Sequence, residues 1–121
     1  MDAMAVLSIL SALRIGPDAE EMAIHRAIDE ALKNAGVSFL REARLGPGDR
    51  IDFLTESGVG IEVKKGRPEP SVLRRQLGRY ARWDAVKALV VIDQRAVNLP
   101  ETVCGKPCYQ LGLDRLWGIA L

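Results

Sequence analysis

The stretch Arg50-Ile51-Asp52-Phe53-Leu54-Thr55, joined through Glu56-Ser57-Gly58 to Gly60-Ile61-Glu62-Val63-Lys64-Lys65, decides the fold. Both runs are short, apolar-rich and bounded by turn residues, so they read as the two strands of a hairpin. In each, a charged residue sits between apolar neighbours and is expected to point to the face opposite them. Glu62 and Lys64 are two apart and so project from one face. If the strands pair through the turn, Asp52 lies beside Glu62. Two carboxylates and an ammonium then gather at one edge of an apolar sheet.

Two carboxylates sharing a small space repel, and the pKa of one rises unless a cation intervenes. A hard divalent ion such as Mg2+ removes the repulsion, bound by one or two carboxylates with water filling its remaining positions. Such an ion polarises a phosphoryl oxygen and lowers the pKa of bound water. A nearby lysine orients that water or meets charge on the phosphate. The competing reading is an exposed strand face carrying an ordinary Asp and a Glu/Lys pair, which is a common local pattern.

On the N-terminal side, Gly16-Pro17-Asp18 ends an opening apolar helix and starts a second, with Asp18 as its N-cap. Ile24, Ile28, Ala31, Leu32 and Ala35 recur at helical spacing, and Gly36 supplies the stop. Residues 37–45 alternate imperfectly and read as a strand, closed by the turn cluster Gly46-Pro47-Gly48-Asp49. On the C-terminal side, residues 66–70 form a loop and Ser71 caps a helix running to about Trp83. Residues 87–93 are a continuous apolar run, as expected of a strand buried on both faces. A loop holding Pro100 and Pro107 leads to a last strand at 108–111, then to a short helix or extended tail at 113–121. The order is α-α-β-β-β-α-β-(β)-α, an α/β architecture with a mixed sheet flanked by helices. The helix between the third and fourth strands lets those two lie parallel.

Asp52, a nine-residue spacer and then Glu62-Val63-Lys64, preceded by an acidic helix and followed by a helix bearing Gln76-x3-Tyr80, resembles the PD-(D/E)xK nuclease superfamily. The resemblance covers roughly residues 18–93; Ile51 replaces the proline of the name, a position that supplies no chemistry. The Gln76/Tyr80 pair is similar to the Q-x3-Y element of the recombination-exonuclease branch. The resemblance implies a restriction-endonuclease-like α-β-β-β-α-β core. It also implies that Asp52, Glu62 and the Val63 carbonyl ligate Mg2+ or Mn2+, with Lys64 as the catalytic lysine. The superfamily often adds a glutamate from the first core helix, and Glu21 is the candidate. Glu21, His25, Ile28 and Leu32 follow one helical face, so Glu21 is expected to continue the stripe that packs on the sheet. Glu20 is its competitor, and a helix-start acid favoured by the dipole is the plain reading of either.

Net charge is only +1, but eight basic residues (Lys64, Lys65, Arg67, Arg74, Arg75, Arg79, Arg82 and Lys87) face only Glu69 and Asp84 between positions 64 and 87. That block has the form of an electrostatic footprint for phosphates. On a helical wheel Arg74, Arg75, Arg79 and Arg82 share an arc of about 140° at ~100° per residue. Gln76 and Tyr80 fall beside Leu73 and Leu77, at a boundary from which they reach a nucleotide or the active-site lysine. The opposing reading is a solvated basic face beside a buried tyrosine. His25, the single histidine, is expected in a core or supporting role rather than as a ligand. Glu42 and Asp49 are nearby acids without a motif, and Trp83 and Trp117 read as core or interface residues.

A chain of 121 residues, 48% hydrophobic, bounds one domain able to bury a core. Its core elements are expected at about residues 18–93, with an apolar helix in 1–15 and a strand and tail in 94–121. Cys104 and Cys108 are too few for a disulfide scaffold or a closed zinc or iron–sulfur site, and read as ordinary thiols. The apolar opening segment is too short to span a bilayer and lacks the basic start and cleavage pattern of a signal peptide. The expectation is a cytoplasmic protein with no membrane role, whose first helix covers its own core. The activity implied by the resemblance is metal-dependent hydrolysis of phosphodiester bonds in DNA, either at junctions or flaps or as end processing. So small a domain has little room for a long channel, which suits a homodimer or a helicase or recombination partner. The alternative is a non-cleaving nucleic-acid-binding or assembly module on the same fold. A third reading is an unrelated α/β domain with surface charges at these positions.

Overall fold

Helices α1 (Ala3–Ser11) and α2 (Glu21–Asn34) precede strands β1 (Phe39–Gly46), β2 (Asp49–Thr55) and β3 (Val59–Lys64). Helix α3 (Pro70–Ala81) then crosses to β4 (Ala88–Asp93), followed by β5 (Thr102–Val103) and β6 (Lys106–Gly112). This computed structural model describes residues 2–16 and 18–114. The six strands form a mixed sheet in the order β1-β2-β3-β4-β6-β5. As the sequence predicts, β2 and β3 pair as antiparallel neighbours and α3 returns the chain so that β4 lies parallel to β3; β1 adds to β2 antiparallel at the edge. Strand β6 is parallel to β4 on its other side.

The sheet buries two apolar faces. Val6 and Leu10 of α1 and Ile24, Ile28 and Leu32 of α2 pack with Phe53, Ile61, Val63, Val90 and Ile92 on one face. Leu73, Leu77 and Tyr80 of α3 pack with Ala43, Ile51, Leu89 and Val91 on the other. Strand β4 shows the period-2 rule plainly, sending 89 and 91 one way and 90 and 92 the other, and all six of its residues are buried. Each fully buried Leu or Ile contributes about 1.5–3 kcal/mol of hydrophobic stabilisation. Helix α1 covers this molecule's own core, as expected of the apolar opening segment.

Four local expectations are corrected. Helix α2 starts at Glu21 with Glu20, not Asp18, in the extended N-cap position. The Ala19 carbonyl there is taken by Gln94 Nε2 at 2.5 Å. Helix α3 is capped by Glu69 rather than Ser71: its carboxylate accepts from the backbone N–H groups of Ser71 and Val72, and Pro70 needs no donor at the first turn. Glu21 does not continue the packed stripe; it is exposed, and the buried series on α2 begins at Ile24. The loop expected before residue 108 instead contains a hairpin, in which Val103 pairs with Lys106 across Cys104 and Gly105. Both turn residues have positive φ (51° and 76°), the handedness that suits the twist of a two-residue hairpin. The tail expected beyond 114, with Trp117, lies outside the described residues. Among the described residues no helix is long and apolar enough to cross a membrane.

Candidate active site at the fork between two strands

Strands β2 and β3 pair through Phe53↔Ile61 and Leu54↔Gly60 and then part. Side chains occupy the gap. Asp52 Oδ2 accepts from the Val63 backbone N–H at 2.8 Å, and Glu62 Oε1 accepts from that of Asp52 at 3.3 Å. The sequence places Asp52 on the face opposite both apolar neighbours, but Ile51 and Phe53 lie in different halves of the core. The strand therefore turns over at Asp52, whose carboxylate sits in the seam between strands. On β3, Glu62 is 5% exposed, and its Oε2 lies 3.2 Å from Lys64 Nζ. The fork thus brings Asp52, Glu62, Val63 and Lys64 together.

Burial is the main reason both carboxyl groups resist ionisation. It pushes Glu62 up to about 7, with the Asp52 charge adding to the shift and Lys64 opposing it. Asp52 is raised too, first by burial and also by Glu42, against the Val63 N–H, His25 and Lys64. A buried acid and a half-buried one facing each other, with one lysine against Glu62, are an incompletely compensated charge cluster.

Helix α2 and strand β1 flank the fork. His25 Nε2 is 3.8 Å from Asp52 Oδ2, and its ring centroid is 5.5 Å from that of Phe53. Donor atoms of His25, Glu42 and Asp52 all lie within 4.8 Å of one another. Glu21, one turn before His25, lines a cleft of about 600 Å3 with His25, Asp29, Arg41 and Glu42, but is not a member of that three-residue group. An imidazole nitrogen and several carboxylate oxygens are a donor set that fits a divalent ion. In the sequence Glu42 carries no motif and His25 reads as a supporting residue. The only signal in the sequence was the broken alternation between residues 37 and 45.

Helix α3 closes the other side. Gln76 Nε2 donates to Tyr80 Oη at 2.8 Å, and Tyr80 Oη donates to the Arg50 carbonyl at 2.8 Å. The pair is thus tied to the β2 backbone two residues before Asp52. Tyr80 is 3% exposed, and burial, then the Glu62 charge, raises its pKa. Asp49 fixes the same helix from the turn, accepting from Trp83 Nε1 at 2.9 Å and Arg79 Nε at 3.2 Å, and these bonds hold its carboxyl below the usual range. Trp83 also covers Gly46, where an added Cβ would meet the indole at 2.2 Å. Of the expected phosphate-binding residues, Lys65, Arg67, Arg74, Arg75, Arg79 and Arg82 are all exposed, with Arg79 held by Asp49 and Lys65 3.6 Å from Glu20. Cys104 is exposed and Cys108 buried, both as free thiols.

No family model, curated protein or solved structure matches the chain.

Proposed function

We propose that the protein is a divalent-metal-dependent nuclease hydrolysing phosphodiester bonds in DNA, on a restriction-endonuclease-like core. The observation that carries this reading is the fork, where Asp52 and Glu62 converge from separate strands and Lys64 stands 3.2 Å from Glu62. Buried like charges destabilise a fold, and they become useful when a cation joins them. The element order α2-β1-β2-β3-α3-β4, with β4 parallel to β3, is the order the sequence resemblance leads one to expect.

A divalent ion bound at Asp52 and Glu62 supplies Lewis-acid polarisation of a phosphoryl oxygen and acidifies water. Bound to the ion, Glu62 would stay ionised, and the attacking water would pass its proton to solvent. Lys64 Nζ is placed to hold that water or to meet charge growing on the phosphate. Water adds to phosphorus, one P–O ester bond breaks, and the departing alcohol takes up a proton. The exposed Lys65, Arg67, Arg74, Arg75 and Arg82 would bind backbone phosphates without reading sequence.

The test is cleavage of single-stranded, duplex and branched DNA with Mg2+, Mn2+ or EDTA. Cutting should need the ion and should vanish in Lys64→Ala and Asp52→Ala. Binding without cutting would favour a nucleic-acid-binding module. Cutting that both variants retain would dismiss this site.

A further inference from the structure

Glu42 has a left-handed backbone, φ 51°, in the middle of the edge strand β1. For a residue with a Cβ that conformation costs roughly 1 kcal/mol, and it persists only where the surroundings impose it. Its neighbours show what it does. Arg41 lies over the Phe53 ring on the α2 side, whereas Ala43 packs with Ile51 on the α3 side. The flanking pairs Arg41↔Phe53 and Ala43↔Ile51 place Glu42 opposite Asp52, so both strands turn over at one level of the sheet. Their two carboxylates are thereby brought with the His25 imidazole into one group.

We propose that His25 and Glu42 join Asp52 as ligands of the divalent ion, with Glu42 taking the place that the sequence offers to Glu21. Donor atoms around an ion at about 2.1 Å stand roughly 3–4.3 Å apart. A group already within 4.8 Å needs only small side-chain rotations to reach that spacing. The donors come from three elements, α2, β1 and β2, so the site exists only in the folded chain. Glu21 sits at the exposed start of α2 and lines the same cleft without joining the group. The imidazole nitrogen also sets selectivity: Mn2+ accepts mixed nitrogen and oxygen donors, whereas Mg2+ favours oxygen and keeps more of its water. Mn2+ is therefore the tighter ligand.

The proposal rests on the metal-dependent reading of the site, and the test separates the two. Mn2+ is titrated into the purified protein, and free Mn2+ is read by electron paramagnetic resonance, with no DNA present. The wild type should bind one Mn2+, about tenfold or more tighter than it binds Mg2+ in competition. Glu42→Gln and His25→Ala should each weaken Mn2+ by about tenfold or more, while Glu21→Gln stays within about twofold. Glu42→Gly, relaxed at positive φ, guards against misfolding: it should keep the metal-free melting temperature and lose the rise that Mn2+ gives the wild type. No Mn2+ binding by the wild type overturns the proposal. So does unweakened binding by Glu42→Gln, or a loss in Glu21→Gln equal to that in Glu42→Gln. Mn2+ binding as described with no DNA cleavage would sink the nuclease reading and leave the metal site standing.

Discussion

The parallel ladder and the fork share strand β3, yet they are built on opposite principles. From Val59↔Ala88 to Lys64↔Asp93 the ladder runs in unbroken register, and β4 carries it on to β6. On the other edge of β3, pairing with β2 is confined to Phe53↔Ile61 and Leu54↔Gly60. Beyond it, backbone donors are satisfied by carboxylates. The ladder gathers apolar area, while the fork holds like charges in partly buried space. Stability is expected to reside in the first region and chemistry in the second, and substitutions can separate the two.

Asp52→Asn should give the largest effect. Its amide oxygen can still accept from Val63 N–H, so the fork keeps its shape, and the charge next to Glu62 and Glu42 is gone. DNA cleavage should fall on the order of a thousandfold while the melting temperature holds or rises. A large loss of stability would show that Asp52 holds the fold together as well as the site. Leu89→Ala should do the opposite. Leu89 is fully buried in the ladder against the α3 side, and its truncation should lower stability by about 2–5 kcal/mol in urea unfolding. Protein that remains folded should cut at a normal rate.

How much of this contrast the sequence reveals depends on the distances involved. The ladder is legible because Leu89-Val90-Val91-Ile92 is apolar on both faces and a helix-length crossover precedes it. Asp52, Glu62 and Lys64 are legible as a cluster because a short hairpin fixes their pairing. The turning-over of β1 and β2 is not, since Ile51 and Phe53 look alike in a pattern that assigns them to one face. Glu42 becomes a partner of His25 only through that turn and through a helix packed from residues 21–34, neither of which leaves a motif. Asp49 and Gln94 are similar cases. Asp49 reaches Trp83 34 positions away, and Gln94 bonds Ala19 and Gly66 across 75 and 28 positions. Long-range partners of single polar residues have no local periodicity to announce them.

The fork also predicts how metal-free stability changes with pH. The folded-state pKa of Glu62 is raised from 4.5 to about 7, chiefly by burial, so between those values the folded chain binds more protons than the unfolded one. Stability should therefore fall as pH rises through this window, by on the order of 2–3 kcal/mol, the reverse of an ordinary salt-bridged acid. Urea titrations at pH 5 and pH 8 in EDTA check the sign. Saturating Mn2+ should remove most of the difference, because the cation favours the charged carboxylate. Glu62→Gln should flatten the EDTA profile, and a profile that survives that change would assign the proton to another group.

The smallest effect joins the two regions. Tyr80 belongs to the α3 side of the core, but its hydroxyl donates to the Arg50 carbonyl, two residues before Asp52. Tyr80→Phe keeps the ring in its packing and removes that donor, so it should cost about 1 kcal/mol in stability. If the bond only supports the fold, cleavage by folded protein should be unchanged. Because it fixes the backbone that carries Asp52 into the seam, kcat should fall several-fold with KM nearly constant. Gln76→Ala, which leaves the Tyr80–Arg50 bond in place, should reproduce little of that loss. A KM change in Gln76→Ala would instead assign the pair to substrate contact, moving it from the scaffold of the fork to the proposed DNA-binding surface.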